Sequence, residues 1–137
     1  MNISSRCEYA CRAVVELARH YPDEAPLTAT ELAERRDIPE KYLVHILLRL
    51  KRRGIVRSVR GAQGGYLLGR APDMVSLYEV ITAVDGPLLE PLPNGGAASE
   101  ELAPAFRDAA QEVRELLGNV SIQSILERAS LNAMYYI

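Results

Sequence analysis

A chain of 137 residues, 48% of them hydrophobic, is large enough for one folded domain with an appended oligomerisation element and too small for several domains. Its formal net charge of −2 on its own argues against a nucleic-acid binder. The charge is unevenly distributed, however: residues 1–70 carry 13 Lys/Arg against 8 Asp/Glu and are basic, whereas residues 71–137 carry 3 against 10 and are acidic. No apolar run could span a bilayer and the first residues do not resemble a signal peptide, so we expect a cytoplasmic protein without a membrane partner.

The first two predicted helices have clear start signals. Ser4 or Ser5 can cap a helix that ends near residue 20. Thr28 and Glu31 have the spacing of a capping box, in which each side chain satisfies a backbone N–H near the other. They predict a short second helix over Ala29–Arg36.

A third helix follows after a very short connection. Pro39 suits its first position, because an N–H group there would have no partner within the helix. Apolar residues at helical spacing then form one stripe, which consists of Leu43, Ile46, Leu47 and Leu50. Gly54 marks the end of this helix. Two helices joined by so tight a turn are typical of a helix-turn-helix.

A short basic β-hairpin is predicted next. Residues 55–59 favour a strand, residues 61–65 a glycine-rich turn, and residues 66–68 the returning strand. Six basic residues and no acidic residue lie between Arg49 and Arg60. A helix-turn-helix with a basic hairpin, or wing, is how a winged helix grips DNA. We therefore predict a mainly α fold with a small β-hairpin wing, in a DNA-binding regulator.

The chain after the hairpin divides into a helix, a loop and a C-terminal part. Ser76 and Glu79 form a second capping box and predict the helix. Residues 87–99 contain prolines and small residues without a period, which favours a loop. We expect a winged helix-turn-helix DNA-binding domain over residues 1–86, and a dimerisation helix, a short last helix and a tail over residues 100–137.

The C-terminal part begins with a long predicted helix over about residues 104–117. Counted from Leu102, its apolar residues step by 4, 3, 4 and 3, which is the spacing of a helix-pair seam. The seam residues predicted to form a dimer interface are Phe106, Ala109, Val113 and Leu116. Ser121 then caps a short last helix over Ile122–Ala129.

The residues predicted to contact DNA lie at the helix-turn-helix and on the hairpin. Lys, Tyr and His side chains can donate to phosphates or base edges in the major groove, and an arginine near the hairpin tip suits a narrow minor groove. The predicted set is Thr28, Lys41, Tyr42, His45, Arg49, Ser58, Arg60 and Gln63. No Ser, Cys or His has the setting of a catalytic group, so we expect no enzyme; a pure protein-interaction module is the remaining class.

Cys7 and Cys11 stand four residues apart on the first helix and share a face. One interpretation treats them as small apolar residues in a core or dimer interface. The other is a redox or metal-sensing role, although a closed metal site needs about four ligands and no other Cys/His cluster completes one. We predict no metal and no cofactor.

Three stretches resemble the Rrf2 family of winged-helix regulators: ISSRCEYACRAVVELA, LTATELAERRDIPEKYLVHILLRLKRRGIVRSVRGAQGGYLLGR and SLYEVITAVDGPL. The resemblance covers nearly the whole chain. It implies a homodimer whose long C-terminal helices cross and whose winged helices read a palindromic operator in double-stranded DNA. It also implies that Tyr42 reads the major groove and that Arg60 enters the minor groove.

Two departures from the family pattern bear on function. Cluster-binding members hold iron–sulfur with three cysteines in the loop after the helix that ends in DGP, and here residues 88–99 contain none. Glu8 stands where some members place an acidic ligand, but one carboxylate cannot hold a cluster without thiolates. Cluster-binding members have Glu-Gln in the recognition helix where this chain has Val44-His45, so its operator should differ.

The chain's ending, residues 133–137, is similar to the branch of the family that represses cysteine metabolism and lacks the loop cysteines. This resemblance implies a dimeric repressor that binds cysteine synthase, an enzyme that accepts peptides ending in isoleucine, through Tyr135, Tyr136 and Ile137. The alternative is that this apolar tail covers the dimer's own core. A cluster-free regulator that senses a small molecule or an oxidant directly is the alternative function.

Overall fold

The computed structural model describes residues 3–22, 25–89 and 100–135. This part of the chain contains α1 Ser5–Arg19, α2 Ala29–Arg36, α3 Glu40–Arg52, β1 Val56–Val59, β2 Gly65–Leu68, a 3-10 helix Pro72–Met74, α4 Leu77–Asp85, α5 Ala103–Gly118 and α6 Ile122–Tyr135. The predicted mainly α fold with a two-stranded wing is confirmed. Across the described ranges, no helix combines the length and hydropathy needed to cross a bilayer.

Four helices begin at the hydroxyl caps that the sequence predicts. Each hydroxyl oxygen accepts a hydrogen bond of 3.0–3.1 Å from the N–H group three residues further on, which satisfies a donor that has no partner within its helix. The caps are Ser4, Thr28, Ser76 and Ser121. The predicted bounds of α2 are confirmed.

Helix α3 begins one residue later than predicted. Pro39 has an extended ψ of 122° and precedes the helix, so its placement as the first helical residue was wrong. Its carbonyl oxygen accepts hydrogen bonds from the N–H groups of Tyr42 and Leu43, both at 3.1 Å. At the other end, Gly54 has φ +72°, a left-handed conformation that glycine adopts without strain, and the helix ends there as predicted.

Helices α1 to α4 share one apolar core. The predicted stripe of α3 is fully buried against α1, α2 and α4. Other core side chains include Val14 and Leu17 of α1, Leu32 of α2, and Val80 and Val84 of α4. Truncation of a leucine in such a core costs about 2–5 kcal/mol. Packing therefore fixes the face of α3 that remains exposed.

Helix α6 is part of the same core. Ile122 is fully buried, and its N–H group donates to the carbonyl oxygen of Val75 at 2.9 Å. The N–H group of Leu77 donates in turn to the carbonyl oxygen of Val120 at 2.8 Å. The predicted end of the last helix at Ala129 was wrong, because α6 continues to Tyr135 through a segment that contains neither glycine nor proline.

Candidate nucleic-acid interface

The turn between α2 and α3 is held by polar contacts. Asp37 adopts a left-handed conformation, with φ 52° and ψ 54°, which reverses the chain within three residues. The guanidinium of Arg12 on α1 donates to the carbonyl oxygens of Arg36 and Asp37, at 3.4 and 3.3 Å. The hydroxyl of Thr30 donates to the carboxylate of Glu40 at 2.8 Å. These contacts fix the orientation of α3 relative to α2.

A buried carboxylate adds an ionic link between α1 and α2. Glu16 is only 8% exposed. Its oxygens lie 3.1 Å from Nε of Arg36, 3.9 Å from Nη1 of Arg35 and 3.0 Å from Nε2 of His20. A buried carboxylate is costly unless it is paired, so these contacts hold α2 in one position on α1. Helices α1 and α2 thus form a rigid base for α3.

The outward face of α3 carries the predicted major-groove residues. Lys41, Tyr42 and His45 are all exposed. The ammonium nitrogen of Lys41 lies 5.0 Å from the centre of the Tyr42 ring, a cation–π contact that orients both side chains. Val44 is 48% exposed on the same helix and can offer an apolar contact, for example to a thymine methyl group. The structure therefore brings these residues together on one accessible surface.

Arg49 has an intramolecular role that the sequence does not indicate. Its Nη1 atom donates to the carbonyl oxygen of Val84 at 2.7 Å, which connects α3 to the last turn of α4. The residue is nevertheless exposed. Its predicted contact with DNA stays a prediction, and the guanidinium has donors left for it.

The wing places its polar residues in solvent. Strands β1 and β2 are antiparallel, and the register pairs Ser58 with Tyr66. Ser58, Arg60 and Gln63 are exposed at or near the tip. Among the described residues, no carboxylate lies within 4.0 Å of Arg60. The guanidinium of Arg60 is therefore accessible to an anionic partner.

The second strand of the wing is joined to the start of the helix-turn-helix. Leu27 and Tyr66 exchange backbone hydrogen bonds of 3.0 and 2.7 Å. Gly65 has φ +150°, and a Cβ atom at this position would lie 2.5 Å from the carbonyl oxygen of Leu27. Thr28 follows directly and caps α2. The wing and the helix-turn-helix thus form one unit. The contact between Leu27 and Tyr66 joins residues that are too far apart in the sequence for local patterns to predict it.

A groove of about 920 Å³ lies beside the recognition helix, between the start of α1, the side of α3 and the end of α4. Tyr42 and His45 belong to its wall, together with Arg6 of α1 and Arg52 of α3. Sequence reasoning missed both arginines. Arg52 stands seven residues after His45 and hence on nearly the same face of α3, a signal that was available. No sequence signal places Arg6 there.

Helix α5 leaves most of its apolar stripe exposed within the described part of the chain. None of its residues is buried in the protomer. The predicted dimerisation residues remain accessible to different extents: Phe106 is 46% and Leu116 is 70% exposed, Ala109 is exposed and Val113 is half-buried. An apolar seam of this spacing on a regular helix is typical of a surface that pairs with another helix.

The two cysteines of α1 have few metal-ligating neighbours among the described residues. Burial raises the pKa of the Cys7 thiol, and burial together with the neighbouring Cys7 raises the pKa of the Cys11 thiol to about 12. Glu8 pairs with Arg12 at 2.7 Å, and the described residues contain no cluster of three or more metal-ligating side chains. An iron–sulfur cluster requires about four ligands, mostly thiolates. Two protonated thiols and one occupied carboxylate do not fit one.

The predicted partner-binding tail lies mostly outside the described residues. This applies to Tyr136 and Ile137. Tyr135 is the last residue of α6. Leu131 and Met134, which precede it on this helix, are 55% and 74% exposed. The end of α6 therefore carries exposed apolar side chains.

A family model described as "Rrf2: Iron-dependent Transcriptional regulator" matches residues 3–128. The chain belongs to the Rrf2 family. Among Rrf2 relatives, the HTH-type transcriptional regulator CymR of Bacillus subtilis (strain 168) is 32% identical over 139 residues, which cover 100% of both chains.

Two solved structures of Rrf2 regulators have the same fold. The structure of CymR, titled the global cysteine regulator of B. subtilis, superposes with a TM-score of 0.73 at 30% identity and covers 93% of this chain and 98% of that one. The structure of T. potens IscR gives a TM-score of 0.75 at 28% identity and covers 94% and 88%.

Membership of the Rrf2 family confirms two predictions. The chain is a DNA-binding transcriptional regulator, and it is not an enzyme. The family description names iron, whereas the whole chain has only two cysteines, and the donor groups of its described residues do not fit a cluster.

Proposed function

We propose that this Rrf2 regulator is a homodimeric repressor that binds a palindromic operator and controls genes of cysteine or sulfur metabolism. The observation that carries the homodimer is the uncovered apolar stripe of α5. In the proposed arrangement, residues 1–86 form the DNA-binding domain and residues 100–137 supply the dimer contacts. The metabolic role is supported by the full-length similarity to CymR, whose solved structure is titled a global cysteine regulator.

In the proposed complex, α3 of each protomer lies in the major groove and each wing reaches the neighbouring minor groove. Lys41, Tyr42 and His45 face base edges and phosphates, and Arg60 and Gln63 contact the minor groove. The remaining proposed contacts are Thr28, Arg49 and Ser58. A two-fold dimer presents this surface twice, so its operator should be an inverted repeat with half-site centres separated by about one helical turn, 10–10.5 base pairs, or a multiple of it.

Selection from a pool of random duplexes tests this proposal. Purified protein should enrich an inverted repeat, and titration of the enriched duplex should show two protomers for each site. Enrichment of a single, unrepeated half-site bound by one protomer would contradict the homodimeric reading. Failure to enrich any duplex at low salt would contradict the proposed operator binding itself.

We further propose that the regulatory signal arrives through cysteine synthase, bound by Tyr135, Tyr136 and Ile137. A terminal carboxylate with an apolar side chain is a compact ligand for an enzyme's substrate cleft. Calorimetry with purified cysteine synthase should show binding to the whole chain and none to a chain that lacks the last two residues. A variant with Ile137→Val serves as the matched control, since it keeps the carboxylate and an aliphatic end. Equal affinity of the truncated chain would contradict this partner.

Direct sensing of a small molecule or an oxidant is the alternative function within the same family. Sensing of an oxidant would involve the two cysteines of α1. It would require reactive thiolates, because the thiolate and not the thiol is the nucleophile. Burial raises the pKa of both Cys7 and Cys11, so both remain thiols near neutral pH. This observation argues against Cys7 and Cys11 as sensors of an oxidant.

A further inference from the structure

The groove beside α3 carries positive charge that the predicted recognition residues do not explain. Arg6, Arg49 and Arg52 line it, together with a single carboxylate, that of Asp85. This carboxylate accepts hydrogen bonds of 2.7 and 2.9 Å from the hydroxyl of Ser4, the cap of α1. It forms no ion pair with any of the three arginines. Three guanidinium groups against one carboxylate give the groove a net positive charge.

Two of these arginines are available to a ligand. Arg49 already donates to the carbonyl oxygen of Val84. Arg6 and Arg52 are exposed, and within residues 3–22, 25–89 and 100–135 neither lies within 4.0 Å of a carboxylate. They come from different helices, α1 and α3, and face the same groove. An anion is the ligand class that this pair of guanidinium groups would take.

The position of the groove indicates which anion this is. Its wall includes Tyr42 and His45, so it is continuous with the surface proposed to enter the major groove. A helix in that groove, which is about 12 Å wide, has a sugar-phosphate strand on each side. Arg52 stands ten residues after Tyr42, or about 15 Å along α3. The strand on the α1 side of α3 would therefore pass the mouth of the groove.

We propose that Arg6 and Arg52 form a phosphate-binding site for one strand of the operator, beside the recognition helix. This inference rests on the proposed mode of DNA binding and adds a contact from α1 that lies outside the helix-turn-helix and the wing. Phosphate contacts of this kind fix the register of a protein on the duplex without reading bases. The site would thus hold α3 at a defined depth in the major groove.

Variants at the two arginines, tested against modified DNA, provide the experiment. The probe is the enriched duplex, prepared as a series in which one methylphosphonate linkage at a time replaces a charged phosphate. Arg6→Ala and Arg52→Ala should each weaken binding about tenfold at low salt, and should reduce the magnitude of the salt slope by about 0.9 for each lost contact, or about 1.8 for a dimer that loses one contact in each protomer. Each variant should also lose the sensitivity of the wild-type protein to the methylphosphonate at the contacted position.

Matched variants separate this site from general charge and from folding. Arg128→Ala removes one exposed arginine of α6 and should leave both affinity and linkage sensitivity near wild type. Arg6→Lys keeps the charge and should retain most of the affinity. Thermal unfolding and sedimentation of each variant should match the wild-type protein, which checks that folding and assembly are unchanged.

Three results would overturn the inference while leaving the proposed function intact. The first is wild-type affinity and linkage sensitivity in both alanine variants, alongside a large loss for Arg60→Ala. The second is a loss of affinity that does not depend on which linkage is neutralised. The third is retained DNA affinity with a loss of inorganic phosphate binding to the free protein, which would make the groove a site for small anions. Failure of the wild-type protein to bind any duplex would instead overturn the proposed function.

Discussion

Replacement of Gly65 by alanine should destabilise the protein and displace the wing. The backbone at this position has φ +150°, which an L-residue rarely adopts. The added Cβ atom would lie 2.5 Å from the carbonyl oxygen and 2.6 Å from the carbonyl carbon of Leu27, and 3.0 Å from the backbone nitrogen of Thr28. All three are backbone atoms, so no side-chain rotation can relieve the contact.

The expected cost follows from these contacts. Backbone strain of this kind costs about 1–3 kcal/mol. Relief of the steric contact requires the bridge between Leu27 and Tyr66 to open, which loses hydrogen bonds of 3.0 and 2.7 Å, each with a net value of about 1 kcal/mol. The free energy of unfolding should therefore fall by about 3–5 kcal/mol. DNA affinity should fall as well, because Arg60 and Gln63 move with the wing.

Urea denaturation at fixed protein concentration measures the change in free energy, and a fixed concentration matters because dimerisation contributes to stability. Gly118→Ala is the matched control. A Cβ atom at Gly118, the last residue of α5, would meet no atom within 4 Å, so this variant should be neutral or up to about 1 kcal/mol more stable. If the free energy of unfolding of Gly65→Ala lies within about 0.5 kcal/mol of the wild-type value, the wing does not contact Leu27 as described.

Three further predictions concern assembly, the buried carboxylate and the thiols. Leu116→Glu places a charge in the α5 seam and should raise the dimer dissociation constant, measured by sedimentation, at least about tenfold. Asp108→Asn, outside the seam, should leave this constant unchanged. A dimer unaffected by Leu116→Glu would contradict the proposed interface. Glu16→Gln should lower the free energy of unfolding, measured by urea denaturation, by about 1–3 kcal/mol. Glu34→Gln, at an exposed position, should change this free energy little. Equal stability of Glu16→Gln and the wild-type protein would show that the carboxylate does not hold α2. The pKa of Cys11 is raised from 9.0 to about 12, so the folded state retains a proton that the unfolded chain loses, and stability should fall as the pH rises above 9. Cys11→Ala should remove up to about 2 kcal/mol of the decline between pH 8 and pH 10.5, and an unchanged decline would mean that this thiol is not buried in solution.

Local chemistry explains what the sequence could predict. A hydroxyl cap acts on an N–H group three residues away, so Thr28 and Ser76 locate the starts of α2 and α4 without knowledge of the fold. The apolar stripe of α3 and the basic strand pair of the wing are likewise patterns within a few residues. These features suffice for a winged helix.

The remaining features depend on contacts between distant parts of the chain. The bond from Arg49 to Val84 spans 35 residues, and the approach of Arg6 to Arg52 requires α1 to pack on α3. The end of α6 was placed too early, although residues 130–135 contain no glycine or proline that would end a helix. Such contacts arise from tertiary packing, which residue spacing does not encode.

The salt dependence of DNA binding tests the central claim most directly, namely that the exposed wing and α3 clasp a duplex through charge. Affinity for the enriched duplex is measured by fluorescence anisotropy over a range of salt concentrations, for the wild-type protein and for Arg60→Ala. The wild-type protein should bind tightly at low salt, and log K should fall linearly with log salt. Arg60→Ala should bind more weakly and with a slope of smaller magnitude, because each protomer loses one cation from the minor groove and fewer counterions are released on binding. Identical affinity and slope for the two proteins would contradict the account.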